Sequence, residues 1–224
     1  MTDNIAMELN MIEESDTTFD LGNFSINPEK NISSKRKRLN YASENRLNTF
    51  IVVIENPKFI ENVSAVIRSA NAFGVAKVYV IDGNNIMKKD YDTIREDRQL
   101  NCLSVSAIKW TYVKVFNTTK NCIDHLEKNG FVSIVTSPHD KNRNPSIELK
   151  DSTYTDKKLA VWFGNETHGI SDEAVLNSSK CVKLDMFGMV ESLNLGSCAS
   201  IVMYEIANQR RNFTQNKNKA KQSK

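Results

Sequence analysis

The chain has 224 residues, a mass of 25.4 kDa and a mean hydropathy of −0.45, which suits one sizeable domain with its own core. Hydrophobic residues make up 40% and charged residues 25%, and the longest apolar runs, such as Phe50-Ile-Val-Val-Ile54, are too short to cross a membrane. Four cysteines without C-x-x-C spacing and three histidines argue against a zinc site or a disulfide framework, and an acidic start argues against a signal peptide, so a cytoplasmic protein that requires no metal is expected.

Charge is unevenly distributed. Residues 1–34 hold seven acids and one base, Lys30, whereas residues 35–224 hold 29 bases and 20 acids, an excess of nine. Lys35-Arg36-Lys37-Arg38 precedes the first strong strand, and Arg210, Arg211, Lys217, Lys219, Lys221 and Lys224 crowd an end without acids. Such clusters suit a polyanion, although solvated tails that aid solubility give the same pattern. The expected division is an acidic, disordered leader over 1–34, a basic segment over 35–48, a domain over 49–213 and a basic tail over 214–224.

From residue 48 onward, buried-looking runs of Val, Ile, Phe and Tyr predict strands at 50–55, 77–82, 112–116, 131–136, 159–164 and 181–186. Helices are predicted at 60–73, 118–129, 171–179 and near 193–211. Ser171 reads as an N-cap followed by Asp172 and Glu173, and Gly130 closes the 118–129 helix. The stretch 83–108 gives no clear pattern. The alternation predicts an α/β domain with a mostly parallel sheet.

Ligands of such sheets bind at the carboxyl ends of strands. Three segments there combine glycines with polar residues: Glu55-Asn56-Pro57 with Asn62 and Arg68, then Gly164 to Gly169, then Met186 to Asn194. The second has the spacing of a phosphate loop, but Ile170-Ser171 stands where Lys and Ser or Thr are needed, and no G-x-G-x-x-G follows a strand. Asn62 and Arg68 lie about 240° apart on a helical wheel, so Asn62 is expected to cap or precede the helix from which Arg68 projects. Ser192 or Asn194 reads as the N-cap of the last helix. His125 reads as a helix-surface residue, His168 as a possible pocket residue without a partner, and Cys198 as a small packing residue.

Together these segments resemble the three motifs of the SpoU, or TrmH, family of RNA ribose methyltransferases. The first runs Asn62-Val-Ser-Ala-Val-Ile-Arg68 to Gly74, the second Phe163-Gly-Asn-Glu166-Thr-His-Gly169, and the third Leu184-Asp-Met-Phe-Gly188-Met-Val-Glu-Ser192-Leu-Asn194. The resemblance spans about residues 46–213. It implies a SPOUT-type α/β domain over 49–213 with a C-terminal trefoil knot, a homodimer, and S-adenosylmethionine bound in the knot. It also implies a cofactor pocket of Thr136, Gly164, Leu184, Met186 and Leu193, with Arg68 as the catalytic residue and Asn62, Glu166, Ser192 and Asn194 holding the site.

Within the family, the C-terminal run Tyr204 to Asn212 is similar to that of the branch that methylates the D-loop guanosine at position 18 of tRNA. On that resemblance Lys35, Arg36, Lys37, Arg38 and Arg46, with Arg210 and Arg211, bind RNA. A ribosomal-RNA 2′-O-methyltransferase and a non-catalytic RNA-binding relative are the alternatives. Asp185, Leu195 and Gly196 stand where relatives more often carry proline, valine and serine. Arginine almost never loses its proton in proteins, so Arg68 is expected to stabilise a developing alkoxide while water or an RNA phosphate takes the proton.

Overall fold

The computed structural model describes residues 34–139 and 146–222, so the acidic leader lies outside the described residues except for Ser34. A first helix, α1 (Ser34–Glu44), carries the basic segment and exposes Lys37 and Arg38. It leads into β1 (Leu47–Glu55), α2 (Ile60–Ala72) and β2 (Val75–Ile81). The stretch without a clear pattern folds as two six-residue helices, α3 (Tyr91–Glu96) and α4 (Arg98–Leu103), and a 3-10 turn at Ala107–Trp110. Each short helix starts at an aspartate, Asp90 or Asp97, whose carboxylate accepts a backbone N–H of the first turn. Helices of this length are too short for apolar periodicity to reveal.

Next come β3 (Tyr112–Phe116), α5 (Thr119–Lys128), β4 (Val132–Thr136), β5 (Ser146–Glu148), β6 (Leu159–Phe163), α6 (Asp172–Leu176), β7 (Cys181–Lys183) and α7 (Leu195–Gln222). The three-residue β5 was not predicted, and β7 ends at Lys183 rather than at 186. The last helix also runs on through the expected tail. Ser171 caps α6 by accepting the N–H of Ala174, and Gly130, at φ +71, follows α5.

All pairings within the seven-stranded sheet are parallel, in the order β3-β2-β1-β6-β4-β7-β5. From β1 the chain first builds outward through β2 and β3, then fills the other side, so the strand order reverses between β1 and β6. Side chains alternate across β1: Phe50, Val52 and Ile54 join α2 and α7 in one core, while Ile51 and Val53 join α5 and α6 in the other. Full burial of each such side chain contributes about 1.5–3 kcal/mol, which makes the two-sided packing the main support of the sheet.

At the amino edge, three arginines expected on the RNA face are committed to the fold. Arg210 is 7% exposed, and its guanidinium donates to the carbonyls of Tyr154 (2.8 Å) and Asp156 (2.8 Å) and to Thr49 Oγ1 (2.9 Å). Burial lowers its pKa, with Asp156 acting in the opposite direction. The reading of Arg210 as an RNA contact is therefore corrected: it joins the last helix to β1 and to the segment before β6. Arg211 donates to the Phe73 carbonyl at 2.6 Å, and Arg46 to the Trp110 carbonyl at 2.6 Å. Sequence alone does not separate these from solvated charges, because their carbonyl partners lie between 53 and 166 residues away.

Candidate active site

The site grows from the junction of β1 and β6, where the strand order reverses. Glu55 closes β1 and is 2% exposed. Its carboxylate accepts from the Thr119 hydroxyl (2.6 Å), the Ser171 hydroxyl (2.6 Å) and the Ser171 N–H (2.8 Å), so it pins the starts of α5 and α6. Asn56 follows at φ +48, a left-handed conformation that asparagine tolerates better than most residues. Its Oδ1 accepts the Gly83 N–H at 3.0 Å, and its carbonyl accepts Nδ2 of Asn84 and of Asn165. Asn165 Oδ1 in turn accepts the N–H groups of Thr167 (2.8 Å) and His168 (3.1 Å). Loops after β1, β2 and β6 are thereby locked together by Asn56, Asn84 and Asn165; the sequence placed Asn56 and Asn165 in the first and second segments but gave none of the three a role, although an asparagine just after a strand was the available signal.

On this platform the three motifs meet in one chain of hydrogen bonds. Asn194 Nδ2 donates to Asn62 Oδ1 at 2.9 Å. Asn62 Nδ2 donates to Glu166 Oε1 at 2.6 Å, and Glu166 Oε2 accepts the Lys58 N–H at 2.9 Å. Asn62 does not cap its helix as expected. It is the third residue of α2, whose N-cap, Phe59, makes no side-chain bond, and its amide is taken by its two motif partners instead. Asn194 is the N-cap of α7, accepting the Gly196 N–H at 2.9 Å. One asparagine thus starts the last helix and fastens it to α2.

Helix α7 approaches α2 closely at Gly196, where an added Cβ would stand 2.8 Å from Ala65 Cβ. The Ser69 and Ser200 hydroxyls are 2.7 Å apart in the same contact. Arg68 projects from the exposed side of α2 and, among the described residues, makes no hydrogen bond or ion pair. Ser192 is likewise exposed. The structure therefore brings Asn62, Glu166 and Asn194 together and leaves Arg68 and Ser192 outside that chain of bonds.

The residues expected to hold S-adenosylmethionine lie at the carboxyl ends of three neighbouring strands. Thr136 ends β4, in register with Val182 of β7, and its hydroxyl donates to the Trp162 carbonyl of β6 at 2.9 Å. Gly164 follows β6, and a Cβ there would collide with the backbone of Gly169 and Ile170. Leu184 and Met186 are half-buried and Leu193 is 38% exposed. Among the described residues, no backbone group from Met186 to Leu193 enters a hydrogen bond with another backbone group. Free amide edges beside apolar side chains suit a flat, polar-edged purine, so these residues fit the cofactor. Asp185, at the root of this loop, accepts from Lys150 Nζ at 3.4 Å, and Lys150 also pairs with Glu148 at 2.7 Å.

Of the histidines, His125 is not a surface residue: its ring lies half-buried, 5.6 Å from that of Tyr79 and 5.3 Å from that of Phe116. His168 is exposed, and Cys198 is half-buried beside the core. Among the described residues no three His, Cys, Asp or Glu side chains group as a metal site, and no helix is long and apolar enough to cross a membrane. The side chain of Lys35 lies outside the described residues.

The model of the SpoU rRNA Methylase family matches residues 49–204. The chain is 29% identical over 172 residues to the tRNA (guanosine(18)-2'-O)-methyltransferase of Borreliella burgdorferi, covering 77% of this chain and 72% of that protein. The crystal structure of the Aquifex aeolicus TrmH/SpoU tRNA modifying enzyme superposes with a TM-score of 0.65 at 25% identity, covering 80% of this chain and 85% of that one. The SpoU methyltransferase AviRb from Streptomyces viridochromogenes, in complex with the cofactor AdoMet, shares the fold with a TM-score of 0.60 at 21% identity, covering 75% of this chain and 62% of that one.

Proposed function

The chain belongs to the SpoU rRNA methylase family, and on that premise we propose that it methylates a ribose 2′-hydroxyl of RNA, that of the D-loop guanosine at position 18 of tRNA. The observation that carries this reading is the chain Lys58–Glu166–Asn62–Asn194, which joins all three motifs and holds the start of the helix that carries the unpaired Arg68. The relatives that match over most of the chain support the choice of tRNA.

S-adenosylmethionine supplies an electrophilic sulfonium methyl when bound. Thr136, Gly164, Leu184, Met186 and Leu193 would hold it, the glycine by letting backbone approach and the apolar side chains by excluding water. The Arg68 guanidinium offers a fixed positive charge to the ribose oxygen as that oxygen loses its proton to water or to an RNA phosphate. Glu166 acts at one remove: by holding Asn62 and the Lys58 N–H it fixes the start of α2, and with it the direction from which Arg68 projects. Asn194 does the same for α7. Ser192, exposed on the third motif, is assigned to the RNA or to a second subunit.

Three further features belong to the same reading. β7 lies three strands from β1, yet the segment after it brings Asn194 onto Asn62 of the helix that follows β1, a return that supports the family's trefoil knot, an exception among folds. Phe187 and Met189 are almost fully exposed, and Ile201 and Tyr204 about half. So much apolar surface around the site supports a homodimer that completes it. The free cysteines support a reducing, cytoplasmic setting.

Incubation with labelled S-adenosylmethionine and unmodified tRNA, followed by mapping of nuclease-resistant bonds, tests the proposal. A single 2′-O-methyl group on the D-loop guanosine is the expected result. Methyl transfer to ribosomal RNA alone overturns the choice of substrate, and cofactor binding without any methyl transfer overturns the enzyme reading.

A further inference from the structure

At the carboxyl edge of the sheet, on the β1 side of the motif loops, stands an aromatic ring that the methyl-transfer site does not use. Phe59 is 48% exposed and enters neither core, although the next residue, Ile60, packs against one. It starts α2 without a side-chain cap bond, whereas Asp90, Asp97, Thr118, Ser171 and Asn194 each accept a first-turn N–H of α3 to α7. The stability of α2 therefore does not account for a phenylalanine here. The Lys58 ammonium lies 5.6 Å from the centre of the ring. Among the described residues, that ammonium makes no ion pair or hydrogen bond.

The backbone beneath the ring is fixed. Asn84 Nδ2 donates to the Pro57 carbonyl at 3.1 Å, Glu166 Oε2 accepts the Lys58 N–H at 2.9 Å, and the Phe59 carbonyl accepts the N–H groups of Asn62 and Val63. A ring presented on a fixed backbone loses little conformational freedom when a partner stacks on it. The residues assigned to the cofactor follow β4, β6 and β7, and Phe59 follows β1, on the other side of β6. The side away from the cofactor is left for the RNA strand that carries the ribose. An aromatic face takes a base of any identity, and an ammonium takes a phosphate. The Glu166 oxygens are already taken by Asn62 and the Lys58 N–H, and Glu61 is exposed in the first turn of α2. Their charges disfavour a phosphate on the α2 side of the ring and leave it on the Lys58 side.

We propose that Phe59 stacks on a base flanking the methylated ribose and that the Lys58 ammonium takes the phosphate next to that base. The inference rests on the reading of RNA as the substrate and deepens it, by assigning the residues on which the strand is laid. The ring meets a base face and reads no base edge, so the contact orients the strand without choosing its sequence. It requires a base that is free to leave its neighbours, as in a loop. The Lys58 N–H and the Asn62 amide share the Glu166 carboxylate. The platform and the start of the helix that bears Arg68 are thereby one rigid unit, which sets the ribose at a fixed offset from Arg68.

The test compares the wild-type chain with Phe59→Leu, Phe59→Trp and Lys58→Gln, by methyl transfer to an unmodified tRNA transcript and by fluorescence titration with it over a range of salt. Phe59→Leu keeps apolar bulk but loses the flat face. It is expected to raise the KM for tRNA about tenfold, with turnover at saturating tRNA and cofactor affinity by calorimetry within about twofold of wild type. Phe59→Trp should keep the tRNA affinity and add indole fluorescence that tRNA quenches, beyond any quenching of the wild-type chain. Lys58→Gln retains the N–H that Glu166 holds and should reduce the slope against salt by about one. An unchanged KM for tRNA in Phe59→Leu, or no added quenching in Phe59→Trp, overturns the stacking contact, and an unchanged slope in Lys58→Gln overturns the phosphate contact. A loss confined to turnover or to cofactor affinity also overturns the inference, because the ring then supports Asn62 and not the RNA. Altered subunit assembly of Phe59→Leu in sedimentation overturns it too and assigns the ring to a subunit contact. Should Phe59→Leu fold poorly, Phe59→Trp decides. If the wild-type chain methylates tRNA, failure of the variants to differ sinks only this inference; if it neither binds nor methylates RNA, the proposed function falls as well.

Discussion

Arg68 on α2 and Arg210 on α7 are the same residue type on two helices that pack on one face of the sheet, and they are used in opposite ways. Arg210 is buried and donates to the carbonyls of Tyr154 and Asp156 and to Thr49. Arg68 is exposed and, among the described residues, bonds to nothing. At the amino edge, charge holds strands and helices in place. At the carboxyl edge, neutral asparagines and one glutamate do that work, and the charge of Arg68, on the exposed side of α2, is left for a ligand. A charge whose donors are all satisfied by the protein has none left for chemistry, so the free arginine is the one assigned to the reaction.

The sharpest way to break this contrast is to remove each arginine. Arg68→Ala should lower methyl transfer at least about a thousandfold and leave the melting temperature within about 1 °C, as measured by labelled methyl incorporation and calorimetry. Arg68→Lys keeps the charge but loses the planar fork, and should retain part of the activity. A pH profile for Arg68→Lys that titrates in step with its amine would instead favour proton abstraction by the side chain. Arg210→Leu should do the reverse. It leaves buried carbonyls without donors, destabilises by about 4 kcal/mol and lowers the melting temperature by about 10 °C.

Smaller effects sharpen the carboxyl-edge half. Glu166→Gln keeps one acceptor but sets an amide N–H against either Asn62 Nδ2 or the Lys58 N–H. It should reduce the turnover rate by about tenfold to a hundredfold, the equivalent of one charge-assisted bond, with little change in cofactor affinity by calorimetry. Gly196→Ser places a side chain where an added Cβ would crowd Ala65. It should destabilise by about 1–3 kcal/mol in chemical denaturation, unless α2 and α7 shift to admit it.

The smallest effect concerns pH. Burial pushes the Cys198 thiol up to about 11 and the Tyr154 hydroxyl up to about 12. Above pH 9 the unfolded chain would release protons that the folded chain retains. The stabilisation from keeping both groups neutral is therefore fully present below about pH 9 and declines as pH rises, through about 11 for Cys198 and about 12 for Tyr154. Melting temperatures from pH 8 to 11 would show that decline. Over the same range the exposed Cys102 should react with a thiol reagent well before Cys198, and native-state labelling read by mass spectrometry would check it.

By itself the sequence determined the fold class, six of the seven strands and the identity of the three motif segments. Those properties are local: five of those six strands run five to nine residues, Ser171 and Asn194 cap the helices that follow them, and alternation in β1 divides its side chains between two cores. It did not reveal β5, which has three residues, or the short helices of 91–103, because so few residues complete no period. Nor did it separate structural from available arginines. Only the tertiary structure decided that Asn62 would reach Glu166, 104 residues away, and Asn194, 132 residues away, instead of capping its own helix. An amide bonds whatever the fold brings within about 3 Å, and sequence proximity has no bearing on which groups those are.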